Sequence, residues 1–251
     1  MSVYNDAVLA DIPLHYWPLQ ETEGPVEDLA GTNDGTVVGA TLGQTGPAPN
    51  IPNAVAFDGV DDEINVGASS PNTGPGQPWT YEGWVLFNAL DVRQRWLAQN
   101  TGGTEQAPRL SHADTDMSAG VHGCEYRQFL GTERITVTVS DGAIATWYHV
   151  VAVHTGSELR LYVDKVLRAT ATDSDCFNQT GTLAIGSGVG EHWHNGRVAA
   201  VAVYPSALSA ARIEAHYDAA FEADAADPAN LAVTVSGTTA SLSWDASPLF
   251  T

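Results

Sequence analysis

Ala54-Val55-Ala56-Phe57-Asp58-Gly59-Val60-Asp61-Asp62-Glu63-Ile64-Asn65-Val66 carries two short apolar runs around an acidic Asp-Gly segment. Each run is too short for an ordinary helix, and the Asp and Gly between them supply the backbone conformations a reversal needs. The stretch therefore reads as strand, turn, strand. Working outward, the same arrangement repeats. Strand candidates at 14–19, 79–87, 134–139, 147–154, 158–163, 182–185 and 197–204 are separated by clusters of Gly, Pro, Asn and Asp. Many short strands at such spacing are the signal of an all-β sandwich. Alternation is cleanest at Ile135, Val137 and Val139 against Thr136 and Thr138, which predicts one buried and one wet face.

Helical patterning is confined to two places. Ser2 can cap a short helix that puts Tyr4, Val8 and Ile12 on one stripe, with Pro13 ending it. Ser209 can cap a second, with Ile213, His216 and Tyr217 on one side. Beyond it, 222–229 is acidic, Ala-rich and closed by Pro228, as a linker would be. Residues 231–235 and 240–244 alternate around Gly237 as a hairpin, and two strands cannot build a core alone. The expected division is an N-terminal helix or assembly arm at 1–13, a sandwich at 14–221, a linker at 222–229 and a partial domain at 230–251.

The 251 residues are 43% hydrophobic and include seven Trp, enough apolar material for one large core. Thirty acidic residues against ten basic ones give a formal charge of −20, and Lys165 is the only lysine. Nucleic acid is disfavoured as a partner, because displacing phosphate counterions takes Lys and Arg. The same composition suits a chain kept soluble at high salt in a halophilic setting; a GC-rich genome with several carboxylates on Ca²⁺ is the other reading. No run approaches eighteen apolar residues, and the first residues lack a signal-peptide pattern, so neither membrane insertion nor ordinary secretion is expected. Cys124 and Cys176 are the only cysteines. They either pair as a disulfide, worth roughly 4 kcal/mol in the chain-entropy view, or remain buried thiols.

Several ordered segments resemble the laminin-G-like, concanavalin A-like lectin and glucanase family. They are Tyr16-Trp17-Pro18-Leu19 with Asp28 and Asn33-Asp34-Gly35, the opening stretch quoted above, Trp79-Thr80-Tyr81-Glu82-Gly83-Trp84-Val85, Trp147-Tyr148-His149-Val150, Leu161-Tyr162-Val163-Asp164 and Asn195-Gly196-Arg197 through Tyr204. Together they span about residues 14–220, and the ordered set is far more specific than any one of them. The resemblance implies a concanavalin-like jelly-roll sandwich of two antiparallel sheets, with short helices before and after it. The tail, Asn230 to Val235 and Ala240 to Trp244, resembles the first two strands of a fibronectin type III domain. The helix Tyr4 to Asp11 running into the Tyr-Trp strand is similar to the start of phage minor tail and head-decoration proteins.

The family resemblance also implies a structural Ca²⁺ site, onto which Asp28, Asn33 and Asp58 map. Ala199 and Ala200 stand where the family usually has acidic ligands. Turn Asp and Asn also occur without metal. His192 and His194, with His112 and His122 in loop-rich sequence, can begin a zinc site but lack a third ligand at a recognisable spacing. For glycan binding, an exposed aromatic platform with polar neighbours is needed, and Trp96, Tyr126 and Trp193 are the candidates. No carboxylate strand of the glycosidase type, nucleophile elbow, phosphate loop or zinc-protease motif is present, so no catalysis is expected.

The leading expectation is a non-enzymatic virion structural protein on the tail or capsid surface. It would be homo-oligomeric, held among other virion proteins, and attached to a host-surface glycan or glycoprotein. The alternatives are a carbohydrate-binding module of a cell-surface or secreted protein, and a glycosidase or lyase on the same fold.

Overall fold

The strand Trp79–Phe87 is buried along its whole length, which a half-wet strand cannot be. Trp79, Tyr81, Val85 and Phe87 point into one core and Trp84 into another on the opposite face. The computed structural model that shows this describes residues 2–68, 76–90, 93–100, 108–112, 122–127, 134–139, 143–172, 182–188, 190, 192–223, 231–236 and 239–244. For residues 68 and 100, and for the segments at 108–112, 122–127, 134–139, 231–236 and 239–244, it describes the backbone alone, Leu110 excepted.

Among the described residues two antiparallel sheets face each other. In chain order the elements are α1 (Val3–Leu9), β1 (His15–Trp17), β2 (Thr36–Val38), β3 (Thr41–Ala48), β4 (Ile51–Asp58), β5 (Glu63–Ala68), β6 (Trp79–Phe87), β7 (Gln94–Asn100) and β8 (Pro108–His112). There follow β9 (His122–Arg127), β10 (Arg134–Val139), β11 (Trp147–His154), β12 (Glu158–Val163), β13 (Val166–Thr172), β14 (Thr182–Ile185), β15 (Asn195–Tyr204), α2 (Ala210–Phe221), β16 (Leu231–Ser236) and β17 (Thr239–Trp244). One sheet runs β13-β12-β11-β6-β15-β4-β3, with β1 also paired to β15; the other runs β10-β9-β8-β7-β14-β5-β2. The architecture is the two-sheet jelly-roll sandwich expected from the strand spacing.

Between the sheets lies the main core, built from Trp17, Phe57, Trp79, Tyr81, Val85, Phe87, Trp96 and their aliphatic neighbours. A second core covers the outer face of the β6 sheet, beneath α1 and α2, and takes in Tyr4, Val8, Tyr16, Trp84, Tyr204 and Ile213. In β15 a register shift between Ala199 and Ala202, with Ala200 at φ 51°, turns both Ala199 and Ala200 toward this second core.

Both helices start where their caps predict: Ser2 accepts from the Asn5 N–H, and Ser209 from the Arg212 N–H. Ile12 departs from the expected stripe. It follows the helix in a left-handed conformation, φ 54°, and is 79% exposed, while Tyr4 and Val8 are buried. The tail forms a β16–β17 hairpin in the register Leu231↔Trp244 to Ser236↔Thr239. No described helix is long and apolar enough to cross a membrane.

Candidate functional site

Three connections meet at one end of the sandwich. Asn195, the first residue of β15, pairs with Asp58 at the end of β4, and Gly196 pairs with Phe87 at the end of β6. The loop after β6 is tied to the same residue: Asn88 donates its backbone N–H to the Asn195 carbonyl at 2.9 Å. Gln94 stiffens the junction by accepting from the Asn195 N–H at 2.9 Å and donating to the Ala89 carbonyl at 2.6 Å. Gly59, at φ +82°, lies so close to Asn195 that a Cβ would come within 2.8 Å of that residue's own. No larger residue fits this turn without displacing it.

Trp193 sits on this rim, half-buried, between two histidines that face different ways. His194 is fully buried, its ring edge-on to Phe87 at 5.2 Å and tilted against Phe57 at 5.9 Å. His192 stays at the surface, at φ 54°, where Arg93 donates to its Nε2 at 3.2 Å. The two histidines that could begin a zinc site therefore lie in different surroundings, one buried and one at the surface, because 192–194 precede the strand and the backbone turns between them. The side chains of His112 and His122 lie outside the described residues. On the same rim Asp58, Asp61 and Asn88 are exposed and Arg93 and Asn195 half-buried.

The carboxylates of Asp58, Asp61 and Asp62 lie within 4.8 Å of one another. Asp58 accepts from the Val60 N–H and Asp62 from the Asp58 N–H, both at 2.8 Å. Burial pushes the Asp62 carboxyl above its ordinary range; the Asp58 N–H opposes this, and the charges of Asp58 and Asp61 add to it. Among the described residues this is the group whose donors can reach one ion, and hard carboxylate oxygens are what Ca²⁺ takes.

The expected Ca²⁺ set of Asp28, Asn33 and Asp58 is not assembled. Asp28 is 5% exposed, and its oxygens accept from the N–H groups of Tyr16, Gly31 and Asn33 at 2.9, 2.9 and 3.0 Å and lie 2.6 Å from His15 Nδ1. Burial raises this carboxyl, but the His15 and backbone bonds outweigh it and bring the pKa down to about 2. The backbone carbonyl of Asn33 accepts from the Trp17 indole at 2.7 Å. The signal for this role was the Asp followed by Gly31 and Asn33 at loop spacing, which suits a carboxylate folded over its own turn.

Of the glycan candidates, Trp96 is corrected. It is 1% exposed and packs against Gly83, where a Cβ would meet its ring at 2.7 Å. A ring so enclosed presents no face to a sugar. The Tyr126 side chain, the Cys124 side chain and Cys176 lie outside the described residues.

Glu82 had not drawn attention in the sequence. It is fully buried beneath the helices and accepts from Tyr204 at 2.9 Å and Tyr4 at 3.3 Å. His149 Nε2 and His216 Nδ1 lie 2.8 and 3.0 Å from its oxygens. Burial opposes its ionisation, yet the His216 charge and the His149 bond overcome that and hold it well below the ordinary glutamate range. The Tyr4, Tyr16 and Tyr204 hydroxyls are pushed up by burial and then by the Glu82 charge. Only a fold bringing β6, β11, β15, α1 and α2 together reveals this group.

A laminin G family profile described as the concanavalin A-like lectin/glucanases superfamily matches residues 58–214. No curated protein sequence matches the chain. Among solved structures, domain 4 of AbnA, an extracellular arabinanase from Geobacillus stearothermophilus, in complex with arabinotriose, aligns with TM-score 0.66 and 14% identity, covering 83% of this chain and 98% of that one. The botulinum neurotoxin serotype D binding domain aligns with TM-score 0.65 and 13% identity over 84% of this chain. This chain spans about half the length of that domain, 52%. The serotype D ligand binding domain in complex with N-acetylneuraminic acid aligns with TM-score 0.63 and 12% identity, over 86% and 52% of the two chains.

Proposed function

From the premise that this chain belongs to the concanavalin A-like lectin/glucanases superfamily, we propose that it is a non-enzymatic glycan-binding module whose site is the rim around Trp193. The observation that carries this reading is a half-buried Trp193 on a rim where Asn88, Arg93, His192, Asn195 and Asp58 gather at the junction of three loops. An aromatic face takes the apolar side of a sugar ring while amides and carboxylates around it take the hydroxyls. The arabinotriose and N-acetylneuraminic acid complexes of proteins with this fold support the class of ligand. Enclosure of Glu82 and both its histidines supports the non-enzymatic reading, since no substrate reaches them.

Trp193→Ala is expected to abolish retention on a glycan array that the unaltered protein binds, with little change in melting temperature. Trp96→Ala is the contrasting variant: emptying that core position costs about 3–5 kcal/mol of stability. Equal array binding by Trp193→Ala and the parent would sink the rim assignment.

The biological setting that we propose is the surface of a virion, where homo-oligomers among other virion proteins turn the rim toward host glycans. Its support is the likeness of the segment from Tyr4 to Trp17 to phage tail and decoration proteins. Copurification of the chain with intact particles tests it. The near-complete coverage of an arabinanase accessory domain favours a second setting, a binding module within a longer extracellular polypeptide.

A further inference from the structure

Both nitrogens of His216 face acceptors. Nδ1 lies 3.1 and 3.0 Å from the two Glu82 oxygens, and Nε2 lies 2.7 Å from Asp11 Oδ2 and 3.1 Å from the Ala7 carbonyl. A neutral imidazole has one N–H and can serve only one of these sides; an imidazolium serves both. The geometry therefore selects the doubly protonated ring, a cation bridging a sheet carboxylate to one at the end of α1.

α1 is held by an apolar face on the second core and by a set of polar bonds. Asp11 takes both bonds from Arg212 Nε, at 3.0 and 2.7 Å, and Arg212 also donates to the Ala7 carbonyl at 3.2 Å. Tyr4 donates to Glu82, and Asn5 accepts from the Tyr16 hydroxyl at 2.6 Å. Tyr4 and Val8 are buried in the second core, and Val3, Ala7 and Leu9 pack against it half-buried. Seven residues are too few for a helix to persist by itself, so its order depends on this docking. The joint to the sandwich is strained: Ile12, β-branched and exposed, is held at φ 54° before Pro13.

We propose that residues 2–12 form a proton-latched arm, docked while His216 carries both ring protons and released from the sandwich when it loses one. The groups facing the latch are Glu82 from β6, His149 from β11, Tyr204 from β15, Tyr4 and Asp11 from the arm, Tyr16 from β1 and Arg212 from α2. On deprotonation Glu82 keeps His149 and Tyr204, so the sheet stays intact, while the arm loses its central bridge. Burial lowers the His216 pKa, but Glu82 and then Asp11 raise it further, and the net shift is upward. A group raised on folding stabilises fully below its unfolded value and loses that contribution as pH rises through the folded one. Release therefore falls above the ordinary histidine range.

The test is amide hydrogen exchange of the full chain from about pH 6 to about pH 10, corrected for intrinsic exchange. Protection of the α1 amides should fall about tenfold or more across the transition while β6 amides hold theirs. His216→Gln, which can donate to one side only, should exchange rapidly in α1 at every pH. Should that variant not fold, the ¹⁵N shifts of the His216 ring in the unaltered protein still decide the matter. An imidazolium at neutral pH whose titration coincides with loss of α1 protection supports the latch. A neutral ring, or α1 protection that passes unchanged through the titration, overturns it.

Discussion

Asp28 closes the loop from 28 to 33 by accepting four backbone N–H groups, from Tyr16, Ala30, Gly31 and Asn33, and its removal leaves those donors without an acceptor in a largely buried place. Each orphaned buried group costs about 1–3 kcal/mol, so Asp28→Ala should lose on the order of 3 kcal/mol in urea unfolding at neutral pH. Because the folded pKa is depressed from 3.8 to about 2, the contribution is present above the ordinary value and disappears as pH falls through that interval. The parent and the variant should therefore converge in stability at the acid end; a difference that stays constant there would show that the charge is not what holds the loop. At this scale the sequence was only partly legible. Asp28 was recognisable as a turn carboxylate, but whether its oxygens face an ion or N–H groups depends on the path of the next five residues. Trp96 and Trp193 have similar polar neighbours, and what separates them is Gly83, which lies on a strand of the facing sheet and meets the Trp96 ring across the sandwich.

The turn between β4 and β5 gathers Asp58, Asp61 and Asp62, and their mutual repulsion is the one local term a divalent cation would relieve. We expect millimolar Ca²⁺ to raise the melting temperature and a chelator to reverse it, the stabilisation being about 2.7 kcal/mol when Ca²⁺ is at a hundred times its Kd. Asp61→Asn, at an exposed position, should remove the response, and Asp28→Asn should leave it in place. A melting curve indifferent to Ca²⁺ would return these residues to an ordinary solvated turn. Elements rich in aromatic and β-branched residues, such as β6, β11 and β15, were readable as strands because burial demands those side chains. β3, whose Thr41–Ala48 stretch includes two Gly and a Pro, was not readable. It is an edge strand, and an edge needs backbone pairing on one side only. The second core escaped notice for a related reason. Thr80, Glu82 and Trp84 alternate properly for a wet face, and only α1 and α2 make that face dry.

The molecule as a whole carries a formal charge of −20, and its exposed cations are few. Lys165 is already engaged by Asp218 at 2.7 Å and lies over the Tyr217 ring. Self-repulsion should therefore outweigh exposed ion pairs in the salt response. Raising NaCl from about 0.1 M to about 1 M shortens the screening length from about 10 Å to about 3 Å and should raise the melting temperature by a few degrees. A melting temperature that falls with salt would mean that the attractive pairs dominate.

The buried group around Glu82 has a historical consequence. Asp11, just past α1, joins Glu82, His149, Tyr204 and His216 from four elements, and deleting one partner strands a charge or a donor in a dry interior. Replacing all of them together by well-packed apolar residues can be neutral or better, yet each single step costs about 3–5 kcal/mol. Such a set is inherited whole or lost whole. A route from this set to an apolar outer core by single substitutions crosses a valley in stability, and effects measured singly at these positions will not sum.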